Sequence, residues 1–116
     1  MIWKKNIDLV EINKSLTSTM ANYLDIKITN IADDFLIGKM PVNEKTKQPF
    51  GILHGGASVA LAETIGSLGS NLCLSDEYYS VGLEINANHV RSVNSGYVTA
   101  TTKAFHLGRS THVWEI

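Results

Sequence analysis

Residues 55–74, GGASVALAETIGSLGSNLCL, decide the fold. The run holds no proline, and its aliphatic and small side chains recur over a length that predicts one long helix. It is crowded with Ala57, Ser58, Ala60, Ala62, Gly66, Ser67, Gly69 and Ser70. A glycine inside a helix costs about 1 kcal/mol relative to alanine. Two of them predict that something packs closely against this helix, either a sheet or a symmetry-related copy. Glu63 is the one acid in the run.

On either side of this helix the period changes. After a turn at Ser75-Asp76-Glu77, residues 79–91 alternate, with Val81, Leu83, Ile85 and Ala87 on one face and His89 and Arg91 continuing it. This predicts a strand. Asn94-Ser95-Gly96 is a turn, Tyr97 to Leu107 is a strand rich in Tyr, Val, Thr and Phe, Gly108 marks a turn, and Ser110 to Ile116 begins another strand. Upstream, residues 43–51 (NEKTKQPFG) are polar and make a loop. Leu24 to Ile28 and Phe35 to Val42 form a strand hairpin about a turn at Ala32-Asp33-Asp34, and Ile7 to Leu16 forms a short amphipathic helix. The order is helix, two strands, long helix, three strands. That is an α+β fold, an antiparallel sheet with one central helix. With no repeat and no linker, residues 1–116 read as a single domain. The last residues, Trp114-Glu115-Ile116, carry no turn or cap, so the final strand is expected to be cut short or completed from elsewhere.

Composition removes several classes of function. Of 116 residues, 44% are hydrophobic and 18% charged, which argues against disorder. The net charge of −1 argues against a nucleic-acid binder. Cys73 is the only cysteine, so there is no disulfide framework and no four-thiolate zinc site. The four histidines lack metal-ligand spacing, so no metal is expected. No apolar run is long enough to span a membrane, and no secretory signal is visible, so a cytoplasmic protein is expected.

The chemistry concentrates at the start of the long helix. A glycine pair, Gly55-Gly56, lets a ligand oxygen approach bare amides where the helix dipole adds roughly half a positive charge. That is the physics of an oxyanion hole. The plainer reading is a tightened loop-to-helix turn. Glu63 and Ser67 are four apart and share a helix face, so a carboxylate beside a hydroxyl can hold a water for attack. The plainer reading is a lone solvent-facing acid. At 1.5 Å per residue, Gly55 and Glu63 lie about 12 Å apart along one helix. Reacting groups must lie within about 3 Å of the atoms they act on. If both are catalytic, the site should therefore lie between two copies of the chain.

A second feature is charge bias. From Ile85 to His112 there is no Asp or Glu, while the stretch carries His89, Arg91, Lys103, His106, Arg109 and His112. This points to phosphate binding, with chance composition as the alternative. Gly82 beside it permits close backbone approach. His54-Gly55-Gly56 also looks like an esterase oxyanion motif, but Ser58 sits inside the helix rather than on a strand-to-helix elbow. Cys73 reads as core, and Trp3 and Trp114 as packing residues.

The runs KTKQPFGILHGGASVALAETIGS (45–67), VGLEINANHVRS (81–92) and HLGRS (106–110) resemble hotdog-fold acyl-CoA thioesterases. The subgroup that includes 1,4-dihydroxy-2-naphthoyl-CoA thioesterase and the enterobactin proofreading thioesterase is the nearest likeness. The resemblance runs from Trp3 to Ile116. It implies an antiparallel sheet wrapped around a long helix, with Glu63 as general base or nucleophile. It implies that the Gly55 amide polarises the thioester carbonyl, aided by Gln48 and His54, and that Ser67 orients water or the carboxylate. Gly82, His89, Val90, Arg91 and Ser92, with His106, Leu107, Gly108, Arg109, Ser110 and Thr111, would hold the CoA portion. It implies an acyl-CoA substrate with an aromatic acyl group, no cofactor, and a homodimer or homotetramer with sites at the subunit interface. An acyl carrier protein is a further partner of this class. Members of the family continue past the position of Ile116. A hotdog hydratase or dehydratase, or a non-catalytic acyl-thioester-binding module, would carry the same helix.

Overall fold

A computed structural model describes the chain from Met1 to Ile116. The elements are α1 (Leu9–Ser15), α2 (Met20–Tyr23), β1 (Lys27–Ile31), β2 (Phe35–Pro41), α3 (Gly55–Leu72), β3 (Tyr97–Leu107) and β4 (His112–Glu115). The strands form one sheet in the order β1-β2-β3-β4, with every neighbouring pair antiparallel. Helix α3 lies on one face, against β2 and β3. Leu36 and Met40 project from β2 to meet Leu61 and Ile65 of α3, and all four are buried. The α+β arrangement with a long helix on an antiparallel sheet is as the sequence predicts.

The glycines of α3 are explained by the sheet. A methyl group on Gly69 would lie 3.0 Å from the indole of Trp114, and one on Gly66 would lie 3.2 Å from Ile116. The close neighbour is therefore β4 and the residue after it. Trp114 in turn stacks on Trp3, with ring centroids 6.4 Å apart. The Trp3 indole donates to the Ala32 carbonyl at 2.6 Å, which ties the N-terminal segment to the β1–β2 turn. The Trp114 indole donates to Ser70 Oγ at 2.6 Å, and His112 Nδ1 lies 3.1 Å from the same oxygen. Ser70 accepts from the indole and can donate to a bare Nδ1, which requires a neutral imidazole. Burial lowers the pKa of His112, and nearby His106 and Lys4 push it the same way.

Three sequence expectations need correction. The first strand begins at Lys27 rather than Leu24, because a short helix occupies residues 20–23 and Asp25 turns the chain at φ 58°. The inward set was right even so, since Leu24, Ile26 and Ile28 are all buried. Helix α1 begins at Leu9, where the Asp8 carboxylate caps Val10 and Glu11. The larger correction concerns residues 79–91. They form no strand, and the sheet has four strands rather than five. A strand needs a neighbour to take its backbone hydrogen bonds, and this chain places none beside the segment. Val81 and Leu83 stay exposed.

The loop between β2 and α3 is braced from within. Thr46 is buried; its hydroxyl donates to the Pro41 carbonyl at 2.9 Å and accepts from the Asn43 amide at 3.0 Å. Its carbonyl accepts from the His54 amide at 2.8 Å, so the loop closes on the first residue of the helix cap. Lys45 clamps the outside, donating to the Tyr23 carbonyl and to Asp25, each at 2.7 Å. The hydrogen bond to Asp25 raises the pKa of Lys45.

Thr46→Val keeps the shape but strands two backbone groups, and should cost about 1–3 kcal/mol, while Thr46→Ser retains most of the stability. Urea denaturation of the two variants measures the difference. The lowered pKa of His112 also has a consequence for pH dependence. The unfolded chain takes up the His112 proton before the folded chain does, so this residue erodes stability as pH falls below about 6.5. Thermal melts at pH 7.5 and 5.5 should show a smaller acid-side loss in His112→Gln than in the parent; equal losses would remove His112 from the effect.

Candidate active site

His54 is the N-cap of α3. Its backbone is extended, and its Nδ1 accepts from the Gly56 amide at 2.7 Å. An Nδ1 that accepts is bare, so the proton of the neutral ring sits on Nε2, free to donate outward. The cap leaves the Gly55 amide without an acceptor in the chain. Gln48 is oriented in the same way. Its carbonyl oxygen accepts from the Phe50 amide, which leaves its NH2 to donate. The junction of loop and helix thus carries three unspent donors: the Gln48 amide, the His54 ring and the Gly55 backbone. The His54 ring and the Gly55 backbone stand at the positive end of an 18-residue helix. His89 comes to the same place, with Nε2 3.0 Å from where a methyl on Gly55 would be.

Glu63 stands two turns along α3. It is exposed and joins none of the ion pairs of the chain. Its Oε1 rests against the backbone of Gly82, where a methyl group would lie only 2.6 Å away. Ser67 is half-buried one turn further on. The two share a face as expected, but their side chains are not bonded to each other. Because α3 is unbroken from Gly55 to Leu72, the separation of Gly55 and Glu63 along the axis is about 12 Å. One chain does not bring them to one reacting atom.

The residues of the acid-free stretch divide into two sets. Arg91 and Ser92 line an open groove with Ile52, Val93, Asn94 and Ser95, held to the loop by the Leu53 amide donating to the Val93 carbonyl at 2.7 Å. Val90 is exposed beside it. His106 and Leu107 end β3, and Gly108 through Thr111 make the turn to β4, closed by the Gly108 amide donating to the Thr111 carbonyl at 2.8 Å. At about 3.3 Å per residue, the ends of β3 are roughly 30 Å apart. Within one chain the two sets therefore face different ends of the helix.

Sequence reasoning missed four residues that shape this region. Thr46 braces the loop; its only signal was an Asn-to-Thr spacing of three, common in side-chain-capped turns. Asn71 accepts from the Ser80 amide at 2.9 Å through Oδ1 and donates to the Ser67 carbonyl at 2.9 Å, which pins the segment after the helix to α3. Ser80 gave no sign of this. Ser70 was seen only as a small residue, and its bond to Trp114 depends on strand placement. No group of three or more His, Cys, Asp or Glu side chains converges on a metal-sized site. No helix is long and apolar enough to cross a membrane.

Comparison with known proteins shows the family. Residues 50–116 match the model of the thioesterase superfamily. The 1,4-dihydroxy-2-naphthoyl-CoA hydrolase of Escherichia coli is 53% identical over 116 residues, covering 100% of this chain and 85% of that protein. The proofreading thioesterase EntH of Cronobacter sakazakii is 47% identical, again over 100% of this chain and 85% of its own. The crystal structure of thioesterase HI1161 from Haemophilus influenzae superposes with a TM-score of 0.96 at 49% identity, covering 98% of this chain and 80% of that one. The chain is a hotdog-fold member of the thioesterase superfamily, an enzyme that hydrolyses thioesters.

Proposed function

We propose that the protein hydrolyses acyl-CoA thioesters with an aromatic acyl group, and that Glu63 is the reacting carboxylate. The observation that carries this is an unpaired carboxylate on the helix whose first amide is also unpaired. The Escherichia coli relative is named for an aromatic acyl-CoA, which supports the substrate class.

In this reading the thioester oxygen takes hydrogen bonds from the Gly55 amide, with Gln48 and His54 adding their outward donors. Negative charge develops on that oxygen as the carbonyl carbon becomes tetrahedral, and the helix dipole favours it. Glu63 acts on the opposite side of the carbonyl. It either takes a proton from water as the water oxygen attacks, or attacks the carbon itself to form an anhydride that water then opens. In both routes the C–S bond breaks, and the products are the free acid and the CoA thiol. Ser67, on the same helix face, orients the water or the carboxylate. The 12 Å between Gly55 and Glu63 is met by two copies of the chain, the helix start of one facing the carboxylate of the other. Arg91 and Ser92, with His89 and Val90 beside them, hold the CoA phosphates and ribose, and His106 through Thr111 of a second copy complete that cradle.

Thiol release from a panel of aryl- and fatty-acyl-CoA esters tests the reading, since a hydratase on the same fold frees no CoA. Glu63→Ala should lower kcat by about 10³-fold with CoA binding retained. Turnover near the parent level would remove the mechanism. Arg91→Ala should raise KM for CoA esters by about tenfold with kcat little changed. An unchanged KM would remove the phosphate role.

A further inference from the structure

The likeness to the family implies a place for Gly82 in the CoA cradle, and the structure also sets it beside the carboxylate proposed to react. Gly82 lies against the side chain of Glu63: a methyl built on it would fall 2.6 Å from Oε1 and 3.7 Å from the carboxyl carbon. Carbon and oxygen in contact without a bond usually stay about 3.3 Å or more apart. The bare Gly82 backbone is thus one wall of the space the carboxylate occupies. That wall is held in place. Two residues upstream, the Ser80 amide donates to Asn71 Oδ1 at 2.9 Å, and the Asn71 side chain donates to the Ser67 carbonyl, also at 2.9 Å. The segment that carries Gly82 is therefore pinned to α3 one turn beyond Ser67, within the same chain as Glu63.

We infer that Gly82 is a positioning residue for the reaction: by having no side chain, it sets where the Glu63 carboxylate rests. Glu63 has no ion pair to orient it. On the Gly82 side, its position is set by backbone contact. An alanine at 82 must push Oε1 away by a large fraction of an ångström. A displacement near 1 Å at a reacting group can cost about 100-fold in rate. The substitution does not threaten the fold. Gly82 is exposed, and it is not among the glycines with a positive φ, so its backbone suits alanine. The inference rests on the reading of Glu63 as the reacting carboxylate.

The test is steady-state kinetics on the full chain with an aryl-CoA ester, with thermal melts as a control. Gly82→Ala should keep its melting temperature and lose about 10–100-fold in kcat, with KM for the CoA ester within about twofold of the parent. A shorter acid withdraws from the added methyl. Hence Glu63→Asp should cost at least fivefold less in the Gly82→Ala background than in the parent. A purely structural role for Gly82 would leave the two losses multiplying independently. A raised KM with unchanged kcat would make Gly82 a CoA contact and overturn the inference. Unchanged kinetics, or single losses that multiply in the double variant, would overturn it too. In those three cases the hydrolase reading survives. If the parent releases no thiol from any ester, that reading fails and the inference falls with it.

Discussion

The structure depends on the seating of α3 against the sheet. Leu61 and Ile65 enter the apolar face made by Leu36 and Met40, and the glycines of the helix admit Trp114 and Ile116. Burying aliphatic side chains of this size contributes roughly 1.5–3 kcal/mol each, more than any surface ion pair in the chain. The same contact sets the rotation of the helix. With Leu61, Ile65, Gly66 and Gly69 turned to the sheet, Glu63 and Ser67 are carried to another side. Position of the carboxylate is thus a by-product of core packing, fixed by the 100° step between successive residues.

Polar groups in the site are kept free by bonds made nearby. His54 spends Nδ1 on Gly56 and so presents Nε2–H. Gln48 spends its oxygen on Phe50 and so presents its NH2. Thr46 spends its hydroxyl and carbonyl on the loop, so the cap residue does not wander. Each bond removes one choice of orientation before any substrate arrives. Preorganised donors of this kind do not have to turn when charge develops on the substrate, as water must. The opposite end of the helix is tied differently, through Ser70, Trp114 and His112, by bonds that also hold β4 and, through the Trp3 stack, the N-terminal segment.

Residues 79–91 show where local pattern stops being informative. Alternation of Val81, Leu83 and Ile85 marks a segment that can be extended, yet the structure assigns it to no strand. Whether such a segment becomes a strand depends on a neighbour supplying donors and acceptors, which alternation does not encode. The residues around Leu24 failed for a different reason. The inward side chains were legible, but a short helix and one left-handed residue, Asp25, shifted the hydrogen-bond ladder by three positions without changing which side chains are buried. The basic and histidine residues between Ile85 and His112 were visible as a run without acids. Their division between the two ends of β3 was not visible, because a charge count has no geometry.

By itself the sequence determined the long helix, its glycine start, the lone Glu63 on its length, the hairpin before it and the antiparallel β3–β4 pair after it. Each of these follows from short-range rules: period, capping and turn chemistry act over a few residues. It also determined the 12 Å between Gly55 and Glu63, since helical rise needs no tertiary information. Only the tertiary structure decided that Trp114 fills the space beside Gly69, that Asn71 pins Ser80, and that Gly82 meets the carboxylate of Glu63. Those contacts join residues distant in the chain or on different elements. They exist because burying the inner face of α3 draws the rest of the chain around it, and no local preference specifies which atoms meet when it does.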